Sequence, residues 1–144
     1  MATTNATINI QSSDISDSVI SISNTATLTN AGNDTGMTKT TGLTRVTLES
    51  SSNVVLIDSG AATRLNTITK GKIYIKNLND RGDGTKFVTI ETGNNSGTPV
   101  EIGRLYGGDF AFFPFDGGTN KDIILDPSDA TATTLEYIAF YEES

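Results

Sequence analysis

The sequence predicts an all-β fold: an antiparallel, jelly-roll-like β-sandwich preceded by an extended Thr/Ser-rich N-terminal arm. Three observations carry this expectation. β-branched residues are abundant and strong helix formers scarce, which favours strands over helices. Apolar and polar residues alternate in short runs with a period of two, the pattern of half-buried strands. The runs recur about every ten residues with Gly, Asn and Asp clusters between them, the rhythm of a sandwich or barrel. About eight such strands in the second part of the chain point to a jelly roll. No stretch shows a helix-length amphipathic pattern.

The 144 residues suit one domain plus an appendage. Residues 1–45 form the arm, or weak strands. Large apolar side chains are few there, and the alternating pairs Ile8 and Ile10, and Ile20 and Ile22, make thin apolar faces. Such a segment does not bury enough apolar surface to fold alone. It is ordered either against another surface or as a pair of strands on the same domain.

Residues 46–144 form the sandwich. Val46 and Leu48 alternate, and Val54 to Ile57 end at the turn cluster Asp58-Ser59-Gly60. In Lys72 to Leu78, residues Ile73, Ile75 and Asn77 share one face. The loop Asn79-Asp80-Arg81-Gly82-Asp83-Gly84 is dense in turn formers. Strands follow at Phe87–Glu91 and Val100–Ile102, with Gly93-Asn94-Asn95-Ser96-Gly97 between them, and Gly107-Gly108 breaks the chain. Phe110-Ala111-Phe112-Phe113-Pro114-Phe115 ends at, or lies along, a sheet edge, because Pro114 has no N–H for a central ladder. Gly117-Gly118 turns the chain again. Ile123–Leu125 and Leu135–Tyr141 complete the fold.

Two strands are apolar on both faces. In the last, Leu135, Tyr137, Ala139 and Tyr141 share one side and Ile138 and Phe140 the other. Either Ile138 and Phe140 face the core, leaving Tyr137 and Tyr141 half exposed, or both faces are covered. In Phe110–Phe115 the four rings cannot all point inward from one strand, which leaves Phe113 and Phe115 for a partner or a covering loop. The expected interface residues are therefore Ile8, Ile10, Ile20, Ile22, Phe113, Phe115, Tyr137 and Tyr141.

Composition bounds the function. The chain carries 17 acidic and 10 basic residues, a formal net charge of −7. Without a basic stripe it is not expected to bind nucleic acid, and its acidity argues against anionic membrane surfaces. No apolar run spans a bilayer, and no signal-peptide pattern is visible at the N-terminus, so synthesis in the cytoplasm is expected. The sequence has no cysteine and no histidine. Ser–His triads, thiolate chemistry and the common zinc sites are excluded by residue type. No cofactor, metal or catalytic residue is expected, and the chain does not read as an enzyme. The carboxylates Asp80, Asp83, Glu91, Glu101, Asp109, Asp116, Asp122 and Asp126 lie mostly in turns, where Asp bonds its own backbone. The loop at Asp80–Gly84 lacks the ligand spacing and final Glu of a calcium loop. Arg81-Gly82-Asp83 spells an adhesion tripeptide at a loop tip, and also an ordinary tight turn. The acceptor tripeptides at Asn5, Asn33 and Asn94 have no visible secretory context.

The succession Ile73-Tyr74-Ile75-Lys76-Asn77-Leu78, Val88-Thr89-Ile90-Glu91, Ile102 to Phe110 and Leu135-Glu136-Tyr137-Ile138 resembles the jelly-roll capsid decoration, or cement, proteins of tailed bacteriophages, those of marine and cyanobacterial phages most. The resemblance covers roughly half of the chain. It implies a virion structural protein on the outer capsid surface, a homotrimer that bridges neighbouring capsomers by contact with the major capsid protein. It also implies that the region holding Ile8, Ile10, Ile20 and Ile22 lies against capsid or a sister subunit. The alternative is a tail or fibre component that binds a host glycan or receptor through Tyr106 or the Arg81-Gly82-Asp83 loop.

Overall fold

The computed structural model describes residues 4–15, 18–29, 37, 39–49, 52–58, 71–82, 84–94, 96–117 and 121–141. Its described residues form eleven strands and no helix: β1 (Asn5–Ser12), β2 (Ile20–Thr27), β3 (Lys39–Thr40), β4 (Thr44–Leu48), β5 (Val54–Ile57), β6 (Gly71–Asn77), β7 (Phe87–Gly93), β8 (Val100–Tyr106), β9 (Phe110–Phe115), β10 (Asp122–Pro127) and β11 (Thr133–Tyr141). The chain divides into two compact units, Met1–Thr38 and Lys39–Ser144. The division precedes the expected one at residue 45 because β3 and β4 both pair with β11.

The second unit is a two-layer antiparallel sandwich. One sheet runs β5-β10-β7-β8, and the other runs β3-β11-β6-β9 with β4 also on β11. The pairing is nested. From β4 to β11, the first strand pairs the last, β5 pairs β10, β6 pairs β9 and β7 pairs β8. The chain thus behaves as one long hairpin rolled over on itself, and β6–β11 and β7–β10 stitch the roll shut. This is the strand order of a jelly roll.

Each inner face follows from the pleat. Ile73 and Ile75, Val88 and Ile90, Leu105, Ile123 and Leu125, and Leu135 and Ala139 are all buried in the core between the sheets, with Leu48, Leu56 and Ile57. Full burial of such a side chain is worth about 1.5–3 kcal/mol. Asn77, at the end of the inner row on β6, is buried but satisfied: its Nδ2 donates to the Leu105 carbonyl at 3.1 Å, and its Oδ1 accepts from Asn79 N–H at 3.0 Å. Pro114 sits in β9, on an edge of its sheet, as its missing donor requires.

Along one side of β11 the partner strand is interrupted between β3 and β4. Gly42 takes a φ of 71° there, a left-handed conformation that glycine tolerates best. Thr41 patches the ladder across the gap. Its N–H donates to the Ala139 carbonyl at 3.0 Å, and its Oγ1 accepts from Ala139 N–H at 3.0 Å.

Among its described residues the first unit contains a two-stranded ribbon, β1 against β2, with Asn5 opposite Thr27, Ile10 opposite Ile22 and Ser12 opposite Ile20. The arm is therefore ordered as strands that pair with each other. The expected turn residues Ser59, Gly60, Asp83, Asn95 and Gly118 lie outside the described residues, as does the acceptor Asn33.

Candidate functional site

The ribbon gathers its large apolar side chains on one face. Directly opposed residues share a face, so Ala6, Ile8, Ile10 and Ser12 stand with Ala26, Asn24, Ile22 and Ile20. The other face holds Asn5, Thr7, Asn9 and Gln11 with Thr27, Thr25, Ser23 and Ser21. That polar face is laced by side-chain hydrogen bonds, Thr7 to Thr25 at 2.9 Å and Thr27 Oγ1 to Asn5 Oδ1 at 3.0 Å. The apolar face stays in water: Ile8 is 48%, Ile10 51% and Ile22 51% exposed, and Ile20 is half-buried. At the tip, Ser12 Oγ donates to Asp14 Oδ1 at 3.0 Å, while Ile15 and Val19 are exposed.

A second outward surface lies on the β11-β6-β9 sheet, on the side away from the core. Three strands contribute three cross-strand rows: Glu136, Lys76 and Phe110; Ile138, Tyr74 and Phe112; Phe140, Lys72 and Pro114. Phe110 is 65% exposed, and Tyr74, Phe112, Ile138 and Phe140 are half-buried. The Tyr74 and Phe110 rings stand 6.1 Å apart, within the range of a favourable aromatic pair. Burial, and after it the Glu136 carboxylate, push the Tyr74 phenol above its ordinary value, so it stays neutral. Arg45 on β4 reaches Glu136 at 3.4 Å, an exposed pair of little energetic weight. Among the described residues Arg45, Lys72, Lys76 and Glu136 are the charges on the rows of this face.

The sequence-derived interface residues divide. Ile8, Ile10, Ile20 and Ile22 come together on one ribbon face. Phe113, Phe115, Tyr137 and Tyr141 turn inward instead. Phe113, Phe115 and Tyr137 pack against the core, and Tyr141 is buried. Their outward counterparts are Phe110, Phe112, Ile138 and Phe140, one residue out of phase. The reason is local. Gly71 lies opposite Phe115, and the Phe115 ring fills the space where a Gly71 Cβ would stand, 2.7 Å from it. Ala139 supplies the small inward side chain on β11 and is fully buried. Both parities of these strands carry large apolar groups, so alternation alone does not distinguish them. Cross-strand pairing does.

The opposite sheet presents another outward cluster. Phe87 and Tyr106 face each other across β7–β8 at 5.4 Å, and the Arg104 guanidinium lies 4.7 Å from the Phe87 ring centre while pairing Glu101 at 3.0 Å. Beside it, one Glu91 oxygen is buried without a hydrogen-bond partner. Burial first, then Asp126 and Glu101, raise the Glu91 carboxyl above the ordinary glutamate range.

Two further carboxylates have partners in the loops. Asp109 accepts from Arg81 Nη2 at 2.7 Å and from Tyr106 N–H at 3.2 Å, and Asp116 pairs with Lys121. Arg81 also donates to the Gly107 carbonyl at 3.4 Å. The adhesion tripeptide therefore has its arginine bound into the β8–β9 turn, and Asp83 lies outside the described residues. Among the described residues, no group of three acidic side chains is placed to hold a metal ion.

No protein-family model matches the chain, and no curated protein matches it significantly. Among solved structures it is similar to a chain described in the words "Bacillus endospore appendages form a novel family of disulfide-linked pili". The likeness covers 78% of this chain and 97% of that one, at 16% identity and a TM-score of 0.44. A likeness at this level carries no argument about this chain.

Proposed function

We propose that this chain is a structural subunit of a larger assembly, a virion decoration or cement protein that braces the outer surface of a phage capsid. The observation that carries this reading is the outward face of the β11-β6-β9 sheet. Phe110, Phe112, Tyr74, Ile138, Phe140 and Pro114 stand together there, with Lys72, Lys76 and Glu136 set among them. Aromatic residues and arginine are enriched at protein contact surfaces, lysine and glutamate are not, so the rings rather than Lys72, Lys76 and Glu136 support this reading. In this reading the face docks on the major capsid protein, and copies gather as a homotrimer that bridges capsomers. The protein is made in the host cytoplasm and resides on the virion exterior.

The jelly roll suits a mechanical part, because nested pairing ties the first and last strands of the sandwich into one sheet. The tail or fibre reading keeps Tyr106 and loses force at its loop, since Arg81 is already engaged by Asp109 and Gly107. Copy number separates the two. Quantitative mass spectrometry of purified particles is expected to find hundreds of copies, in constant ratio to the major shell protein. A few to a few dozen copies would transfer the protein to the tail. Absence from particles would end the virion reading.

A further inference from the structure

A small cavity lies at the end of the sandwich where β6, the β8–β9 turn and the start of β11 meet. Its volume is about 210 Å³. Asn77, Asn79, Asp80, Lys86, Thr131 and Thr133 line it, together with Gly107. Hydrogen bonds tie the surrounding loops together. Asn77 N–H donates to the Asp109 carbonyl at 2.9 Å, Gly108 N–H to the Asn77 carbonyl at 3.0 Å and Leu78 N–H to the Thr134 carbonyl at 2.9 Å. Asn79 Oδ1 accepts from Thr134 N–H at 3.0 Å. Loops held this way on a rigid sandwich make a pre-formed site.

The chemistry of the wall selects the occupant. A side-chain amide offers two N–H donors and two acceptor lone pairs. Asn77 is buried, yet among the described residues its bonds to the Leu105 carbonyl and from Asn79 N–H use only one of each. Thr133 is buried too, and its hydroxyl donates to the Thr131 carbonyl at 3.3 Å. Among the described residues no group donates to that hydroxyl in return. Buried polar groups take up partners where they can, so spare capacity beside a cavity favours a polar occupant. The wall also carries one cation, Lys86, and one anion, Asp80. Lys86 Nζ already has Asp129 Oδ2 at 4.0 Å. An incoming anion meets Asp80 and Asp129, and an incoming cation meets Lys86. A neutral molecule avoids both repulsions, and hydroxyls both donate and accept, as the amides and the threonine require. Size narrows the class further. The cavity equals about seven waters at roughly 30 Å³ each, below the roughly 300–1,000 Å³ of a drug-sized pocket. It has room for one sugar ring and not for a chain of them.

We propose that this cavity binds a single neutral sugar ring, either a free monosaccharide or the end unit of a glycan. Asn77, Asn79, Asp80, Thr131 and Thr133 are the groups that meet its hydroxyls. Affinity for so small a ligand is weak, on the order of millimolar. Many copies on one particle add avidity to a site of this strength. The site goes beyond the assembly reading and stands or falls without it.

Amide NMR correlation spectra of the full-length protein test the proposal. The probes are glucose, galactose, mannose and N-acetylglucosamine, each also as its methyl glycoside, with glycine and inorganic phosphate as charged controls. At least one sugar is expected to shift the side-chain amides of Asn77 and Asn79 and the backbone amides of Thr131 and Thr133, with saturation on the order of millimolar. Binding of the methyl glycoside assigns the site to glycan ends, and binding of the free sugar alone assigns it to monosaccharides. Asp80 and Thr131 are exposed, so Asp80→Ala and Thr131→Val are expected to leave the core amides of Ile73 and Leu125 in place. Each is expected to weaken binding about threefold to tenfold, the worth of one hydrogen bond. The absence of saturating shifts at these groups with any sugar would overturn the proposal. So would shifts with glycine or phosphate that match those with sugars, or an affinity unchanged in both variants.

Discussion

The ribbon and the sandwich are written in the same two-residue alphabet and end in opposite states. In the sandwich, Ile73 and Ile75 alternate with Lys72, Tyr74 and Lys76, and the isoleucines are fully buried. In the ribbon, Ile8 and Ile10 alternate with Thr7, Asn9 and Gln11, and about half of each isoleucine surface remains in water. Alternation creates a face. Whether that face becomes a core depends on a second layer, which the nested pairing of β4 to β11 provides for one unit and which β1–β2 cannot provide for itself.

The largest expected contrast is between matched substitutions. Ile75→Ala is expected to cost about 2–5 kcal/mol by cavity formation. Ile10→Ala in the dilute monomer is expected to change stability by no more than about 0.5 kcal/mol, as at other surface positions. Urea denaturation of both variants reads the difference, and comparable losses would break the comparison.

Next come two tests of the end of the sandwich where β6, β8 and the β8–β9 turn meet. Asn77→Ala leaves the Leu105 carbonyl and the Asn79 N–H without their partner, at an expected cost of about 1–3 kcal/mol. Gly107→Ala would set a Cβ 2.2 Å from the Asp80 carbonyl oxygen, a backbone atom that cannot swing aside. An overpacking loss of about 1–3 kcal/mol is expected there. Both appear as lower midpoints in urea, and a midpoint unchanged by either substitution would contradict the packing described for this end.

The smallest effect concerns Glu91. Its folded-state pKa is raised, mainly by burial and then by Asp126 and Glu101. The folded state therefore holds the proton more tightly than the unfolded chain. The stability this group contributes is fully present below its unfolded pKa and is lost as pH rises through its folded pKa. Glu91→Gln is expected to stabilise the sandwich slightly at neutral pH and to flatten this part of the pH profile. Thermal melts from pH 4 to pH 8 check the sign, and a variant less stable than the parent at neutral pH would contradict it.

Much of this architecture is legible in the sequence because the pleat allows only two faces. The row Ile73, Ile75, Asn77 is readable from its spacing alone, and so is the set Ile8, Ile10, Ile20, Ile22. The edge position of β9 follows from Pro114. The choice of face is not legible where both parities are apolar. Phe110 and Phe112 compete with Phe113 and Phe115, and the decision rests on Gly71 across the sheet, a residue whose relevance appears only once the register is known. The same holds on β11, where small Ala139 settles the inward row. Exposure of the ribbon is also beyond the sequence, since its thin apolar face fits a weak strand of the sandwich equally well.

Amide hydrogen exchange measured over a series of protein concentrations tests the central contrast most directly. The sandwich strands are expected to be protected equally at every concentration. The ribbon amides of β1 and β2 are expected to exchange much faster than those of β6 and β11. Ribbon amides as protected as those of β6 and β11 in the dilute monomer would contradict the account.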